Sequence, residues 1–398
     1  MKMPSAKKNG LIKSMLIAGS MSVLSGCFHD GEDNSVTSLT YYAVISTQSS
    51  DYSSGDISII SLDDYSADNT NYGGPSDTSI STDGEYVYRI GRLPQDNITK
   101  VNMDPVDFEN VLWQFSTNGS NESGSSNPYK LVVKNENTAY LIRYGQSTIW
   151  IVDPSVEKNA TIAEFKTGEI DLSQYTSGDS DTTPEAADAL LIDNKLYVMI
   201  QNLDANYAPG VAYVALFDTE NSNLEIETNS NSDTPKGIEL KTTNPKKMEY
   251  LATNNTIYLS GVGSYAPDYA GGIEKINLAD YSTEIIVDDG DVNEHPYGQT
   301  VDIAILNSTR GYFVGYTAWK DTAVYSFNPS TGKVDATPLL ENADISDIEI
   351  GPLGNLWVTN RNQSGVTIFD TVDNSVFKAL IDTGLAPNDI EFVSVNGK

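Results

Sequence analysis

The chain has 398 residues, with 55 Asp and Glu against 24 Lys and Arg, for a formal net charge of −31 at pH 7. Such a field repels nucleic acid and anionic lipid surfaces, which excludes both as partners of the folded body, while it favours cations and keeps a protein soluble in salt. One cysteine and two histidines exclude internal disulfides, paired-cysteine motifs and histidine-rich transition-metal centres.

The N-terminal segment carries Lys2, Lys7, Lys8 and Lys13 without an acid, then an apolar run from Met15 to Leu24. A charged start, an apolar stretch too short to span a bilayer and a small-residue cleavage site predict a signal peptide over 1–26. The ending Leu24-Ser25-Gly26-Cys27 resembles the lipobox of bacterial lipoproteins. The resemblance implies that the leader is removed and Cys27 becomes the acylated N-terminus, joined to the membrane through its lipid. Phe28 stands where the inner-membrane retention signal of such lipoproteins has aspartate, so the outer membrane is the expected address. Residues 27–39 read as the acylated cysteine and an acidic, aperiodic tether.

The domain over 40–398 consists of short β-branched and aromatic runs between Asn, Asp, Gly, Ser and Pro clusters, the pattern of an all-β protein. A proline opens a unit at Pro75, Pro128, Pro184, Pro245, Pro296 and Pro387, with Ala343 in the equivalent place of the remaining unit. The intervals, roughly 44 to 61 residues, suit four-stranded propeller blades. Inner strands are expected at Thr78–Ser81, Leu131–Val133, Ala189–Ile192, Tyr250–Ala252, Ile303–Leu306, Ile348–Ile350 and Ile390–Val393. Outer strands are expected at places such as Ala160–Phe165 and Ser375–Leu380. The last unit stops after one strand, Asp389–Val395, whereas Tyr41–Ser46 and Asp56–Leu62 lack a first strand. Pairing the two ends predicts a seven-bladed β-propeller of four-stranded blades, closed so that no open sheet edge is left. The wording Asp347-Ile348-Glu349-Ile350-Gly351-Pro352 and Pro387-Asn388-Asp389-Ile390-Glu391-Phe392 resembles the NHL and YVTN repeats of bacterial seven-bladed propellers.

The usual strand order of such propellers implies that unit-opening loops and second-to-third-strand loops share one face. Seven residues just ahead of the inner apolar runs, Asp77, Lys130, Asp188, Glu249, Asp302, Asp347 and Asp389, then ring the channel mouth. The six acids are candidate ligands for Ca²⁺ or Mg²⁺, which take several oxygens. The repeat resemblance implies an alternative, in which they accept backbone N–H bonds from adjacent blades. Arg89, Arg92, Arg143 and Arg361 fall on the same face and form a candidate anion site. Within-blade ion pairs, Arg89 with Asp77 and Arg361 with Asp347, are the competing use. Tyr129, Tyr144, Tyr207, Tyr265, Tyr269, His295, Tyr297 and Trp319 are candidate contacts for a sugar, a planar ligand or a protein. Asp289-Gly290-Asp291-Val292-Asn293-Glu294 has the alternating oxygens of a calcium loop, but Glu294 stands where an EF-hand needs glycine.

With so few catalytic residue types, the expected function is a monomeric, lipid-anchored, non-catalytic envelope binding protein. Its top face would receive a small ligand or an envelope protein, in service of an outer-membrane transporter. Two alternatives accompany it: a divalent-metal-dependent lactonase- or esterase-like hydrolase, by likeness to gluconolactonase propellers with channel carboxylates, and a scaffold in envelope assembly.

Overall fold

The computed structural model describes residues 39–396 apart from Pro105, 177–181, 229–234, Tyr265 and Pro267. Among the described residues the strands form seven antiparallel sheets arranged as the blades of a propeller. Inner strands are Thr78–Thr82, Pro128–Asn135, Ala186–Ile192, Pro245–Leu251, Gln299–Asn307, Ile348–Ile350 and Ala386–Asn396. Each of the first six leads outward through three strands in sequence order, and we number these blades 1 to 6. In blade 3 a further two-residue strand, Ile238–Glu239, also pairs with the third strand.

Blade 7 is composite. Its inner strand is C-terminal, and the next three are Leu39–Gln48, Gly55–Ser61 and Ala67–Asp68. The two ends pair antiparallel from Leu39 opposite Asn396 to Gln48 opposite Ala386, with one bulge between Ser46 and Thr47. Ring closure is therefore built from backbone hydrogen bonds between the two ends, which removes the exposed edges that invite aggregation.

A strand with one wet face alternates apolar and polar residues, but a blade is covered on both faces by its neighbours. Accordingly, all six residues of the blade-4 second strand Thr256–Gly261 are buried. The core lies between blades. Tyr140, Ile142, Leu196, Val198 and Phe217 fill one such layer, and Ile45, Trp357, Ile368 and Ile390 fill the layer beside the closure.

Two expected elements differ. Ala160–Phe165 is not the outer strand of blade 2, which is Lys166–Asp171. Instead Thr161 and Glu164 begin a helical turn, Ile162–Phe165, with the Glu164 carboxylate accepting from the Thr161 N–H at 2.6 Å and its hydroxyl at 2.8 Å; this reciprocal arrangement is a helix-start signal. The blade-4 inner strand ends at Leu251, because Ala252–Asn254 turns and Asn255 takes a left-handed conformation at φ 52°. Asparagine tolerates that conformation better than most residues. The expected leader 1–26, Cys27 and the tether to 38 lie outside the described residues, as does Tyr265.

Candidate active site

The inner strands carry a repeated stitch between blades. The Asp188 carboxylate accepts the Met248 N–H of the next blade at 2.8 Å, Asp302 that of Ile348 at 2.8 Å, Asp347 that of Ile390 at 2.8 Å and Asp389 that of Ile80 at 2.7 Å. The residues just before the four recipient amides are Lys247, Asp347, Asp389 and Ser79; with Asp188 and Asp302, which supply carboxylates to the stitch, and with Lys130, whose next residue Leu131 donates its N–H to the Ser81 hydroxyl of blade 1 at 3.0 Å, they make up the ring. Blade 4 thus contributes Lys247 and not Glu249, and blade 1 contributes Ser79 and not Asp77. Side chains two apart on a strand share a face. Glu249, Glu349 and Glu391 therefore form a second, deeper tier on the same wall, and the last two were not anticipated.

Lysines tie the upper tier together. Lys130 Nζ lies 2.6 Å from Asp188. Lys247 Nζ contacts Asp302 at 3.4 Å, Asp347 at 3.0 Å and Glu349 at 2.6 Å, and it donates to the Ile348 carbonyl at 2.9 Å. Burial opposes the Lys247 charge, but Asp302, Asp347 and Glu349 overcome it and hold its pKa well above the ordinary value. Lys130 is likewise raised, with Asp188 overcoming burial.

Seven carboxyls against two ammonium groups cannot all stay ionised in a confined space. Burial, then the like charge of Glu349, pushes Glu249 up to about 8. Burial and Asp347 push Asp389 up to about 7. Burial, Glu349 and Asp389 raise Glu391 well above the carboxylate range, and burial raises Asp302 and Glu349 as well. The mouth opens on a cavity of about 470 Å³ lined by residues that include Arg92, Tyr129, Lys130, Arg361, Asp389 and Glu391.

Ca²⁺ or Mg²⁺ does not fit this arrangement. The upper carboxylates already accept amides or bind lysines, and hard cations need several free oxygens. Among the described residues no group of three or more His, Cys, Asp or Glu side chains is placed to hold a metal ion. In the loop Asp289–Glu294, Asp291 accepts the Asn293 and Glu294 amides as an ordinary turn. Asp289 is buried, and burial raises it to about 7 against the lowering effect of the Gly271 amide.

The structure divides the expected anion and aromatic residues. Arg92, Tyr129, Lys130 and Arg361 line the mouth, with Asp77, Asp188, Asp302, Asp347 and Asp389. The expected ion pairs are redistributed: Asp77 lies 3.4 Å from Arg92, and Arg361 lies 4.0 Å from Asp344. Arg89 instead donates to the Gly73 carbonyl at 3.1 Å. Arg143 is wholly buried, bonded to the Thr117 carbonyl at 3.1 Å, the Thr148 hydroxyl at 3.0 Å and the Glu122 carboxylate, and stacked 4.2 Å above Trp150. A guanidinium so enclosed serves packing and not ligand capture.

Tyr144 stacks on Tyr129 at 4.4 Å and donates to Gln201 at 2.9 Å, which buttresses the mouth from behind. Tyr297 packs edge-on against Phe313 and Tyr325 in a core layer. Tyr269 stacks on His295 at 4.2 Å. Tyr207 and Trp319 are exposed on loops. Among the described residues, Tyr129 is the one aromatic candidate that lines the mouth cavity.

No protein-family model and no curated protein sequence matches the chain. Its architecture is similar to that of a protein named as a 6-phosphogluconolactonase from Bacteroides fragilis, at TM-score 0.57 and 15% identity over 92% of this chain and 100% of that one. The periplasmic gluconolactonase PpgL of Pseudomonas aeruginosa is similar at TM-score 0.58 and 12% identity, over 89% of this chain and 99% of that one. Apo AztD of Citrobacter koseri is similar at TM-score 0.53 and 13% identity, over 91% of this chain and 100% of that one. Likeness at this identity establishes the fold. The expectation of a non-catalytic binding protein is not what these likenesses back: two of these three propellers carry lactonase names.

Proposed function

We propose that the channel mouth is the active site of a hydrolase that opens the lactone of a sugar acid without a metal ion. The observation that carries this reading is a pair of carboxyls on the blade-7 inner strand, Asp389 and Glu391, both lining the cavity. Their proton affinities differ: Asp389 titrates at about 7 and Glu391 well above the carboxylate range. Lactone opening needs a base for water and an acid for the leaving oxygen, and two carboxyls whose environments separate their pKa values supply that division of labour.

In this scheme ionised Asp389 takes a proton from water as the water oxygen attacks the lactone carbonyl. Asp389 Oδ2 is fixed by the Ile80 amide at 2.7 Å, so its orientation is set before substrate arrives. Lys130, with one of its three donors spent on Asp188, faces the developing oxyanion. The ring C–O bond then breaks and Glu391 gives its proton to the departing alkoxide. Asp389 and Glu391 afterwards exchange protons with solvent. The names of the similar propellers support gluconate-type lactones as substrate.

The same reading includes export and lipid attachment through Cys27, supported by the leader pattern and by the periplasmic address in the name of one similar protein. Purified mature protein is assayed with glucono-1,5-lactone in the presence and absence of a chelator. Turnover is expected to survive chelation and to fall about 10²–10⁴-fold in Asp389→Asn and in Glu391→Gln. Unchanged turnover in both variants rejects the assignment.

A further inference from the structure

The chain has five arginines. Three are satisfied: Arg89 by the Gly73 carbonyl, Arg143 by Thr117, Thr148 and Glu122, and Arg310 by Asn374. The other two, Arg92 and Arg361, line the mouth cavity. Among the described residues neither guanidinium donates a hydrogen bond, and the buried Nε of each makes only a long ion-pair contact with an aspartate.

The two are built alike. Each follows directly on a second strand, Tyr86–Gly91 in blade 1 and Leu356–Asn360 in blade 6. Each backbone N–H donates to the carbonyl of an aspartate, Asp77 at 2.9 Å or Asp344 at 2.8 Å, and the same aspartate sets its carboxylate beside the Nε, at 3.4 Å or 4.0 Å. Arg92 is further held flat on the Tyr129 ring at 3.9 Å. The fold does not require arginine at this position: Tyr144, Gln201 and Val262 make the same backbone bond in blades 2, 3 and 4. Blades 1 and 6 flank blade 7, whose inner strand carries Asp389 and Glu391.

We propose that Arg92 and Arg361 form a paired oxyanion subsite that holds an anionic substituent of the substrate, a carboxylate or a phosphate, away from the lactone carbonyl. This rests on the hydrolase reading for its role, though not for its binding chemistry. A guanidinium fork with unspent donors is matched by the paired oxygens of such a group. Two forks either side of the reacting carboxyls would orient the ring over Asp389. In a body of net charge −31, they also provide a local exception to a field that repels anions.

The test is equilibrium binding by calorimetry to the mature protein, with glucose 6-phosphate, glucuronate and neutral glucose as probes. At least one anion is expected to bind about tenfold or more tightly than glucose, and whether it is the phosphate or the carboxylate identifies the substituent. Arg92→Gln and Arg361→Gln should each lose about tenfold, and the double variant should bind the anions no better than glucose. Lys158→Gln, an exposed lysine outside the mouth, should change nothing. Retention of anion affinity by the double variant, or equal binding of all three probes by the wild type, overturns the subsite. Should the Gln variants unfold, Arg92→Lys and Arg361→Lys, which keep the charge but lose the fork, must weaken binding in the same order. Opening of neutral gluconolactone without anion preference overturns the subsite alone. Anion capture without lactone opening overturns the hydrolase alone.

Discussion

Lys247 is the point where removing one atom group should disturb the channel most. Its ammonium contacts Asp302, Asp347 and Glu349 and donates to the Ile348 carbonyl. Lys247→Met keeps the stem and deletes the charge. Removing one partner of a buried ion pair costs about 3–5 kcal/mol when the other charge is stranded. The stranded carboxyls have an escape, because they can take up protons, and this makes the penalty depend on pH. Already in the wild type burial raises Asp302 and Glu349, and without the lysine they rise further. The native variant then binds more protons than its unfolded chain, so its stability must fall as pH rises through the folded-state values. Each retained proton costs about 1.4 kcal/mol per pH unit. We expect a loss of about 1–2 kcal/mol at pH 5, growing to about 3–5 kcal/mol at pH 8. Urea denaturation of both proteins at the two pH values measures it. A loss below about 1 kcal/mol at pH 8, or the same loss at both values, refutes the counter-charge argument.

Other consequences can be checked independently. Arg143→Met should lower stability by about 2–4 kcal/mol by removing the counter-charge of Glu122, which keeps the Gly119 amide, and the donor to the Thr117 carbonyl, while anion binding at the mouth stays within twofold, roughly; lost binding with intact stability would return Arg143 to the ligand site. Removing residues 386–396 deletes the inner strand of blade 7 and leaves Leu39–Gln48 paired on one edge only, so the shortened chain should show no cooperative unfolding transition; a normal transition contradicts ring closure. The wild type should also lose stability between pH 5 and pH 8, because Asp389 and Asp289 titrate at about 7 and Glu249 at about 8 when folded and near 4 when unfolded. Their folded values are raised, so the sign is a loss with rising pH; a thermal midpoint that climbs over this range contradicts it.

The fold was legible because its causes are local and repeated. Short β-branched and aromatic runs, proline-opened units, a single strand left over at Asp389–Val395 and two strands lacking a first at Tyr41–Ser46 and Asp56–Leu62 are properties of the chain itself, and the pairing of Tyr41–Ser46 with the last strand follows from them. The site was legible only in part. Placing ring residues by the start of each apolar run put Glu249 in the upper tier, whereas the Asp188 to Met248 stitch shows that Lys247 occupies it. The deeper tier did have a signal: Asp347-Ile348-Glu349 and Asp389-Ile390-Glu391 repeat an acid at a spacing of two, which on a strand puts both carboxyls on one face. Arg143 could not be placed from sequence, since its burial depends on Glu122 and Thr117 in the loop from blade 1 folding over it. The distinction between satisfied and unsatisfied arginines is tertiary throughout.

The central claim is that Asp389 acts as the base, and the pH dependence of kcat/KM for glucono-1,5-lactone tests it most directly. The account predicts a rate that rises with pH through a midpoint of about 7, the Asp389 value, and a rising limb that disappears in Asp389→Asn. A profile that is flat from pH 5 to 8, or one whose rising limb survives in Asp389→Asn, contradicts it.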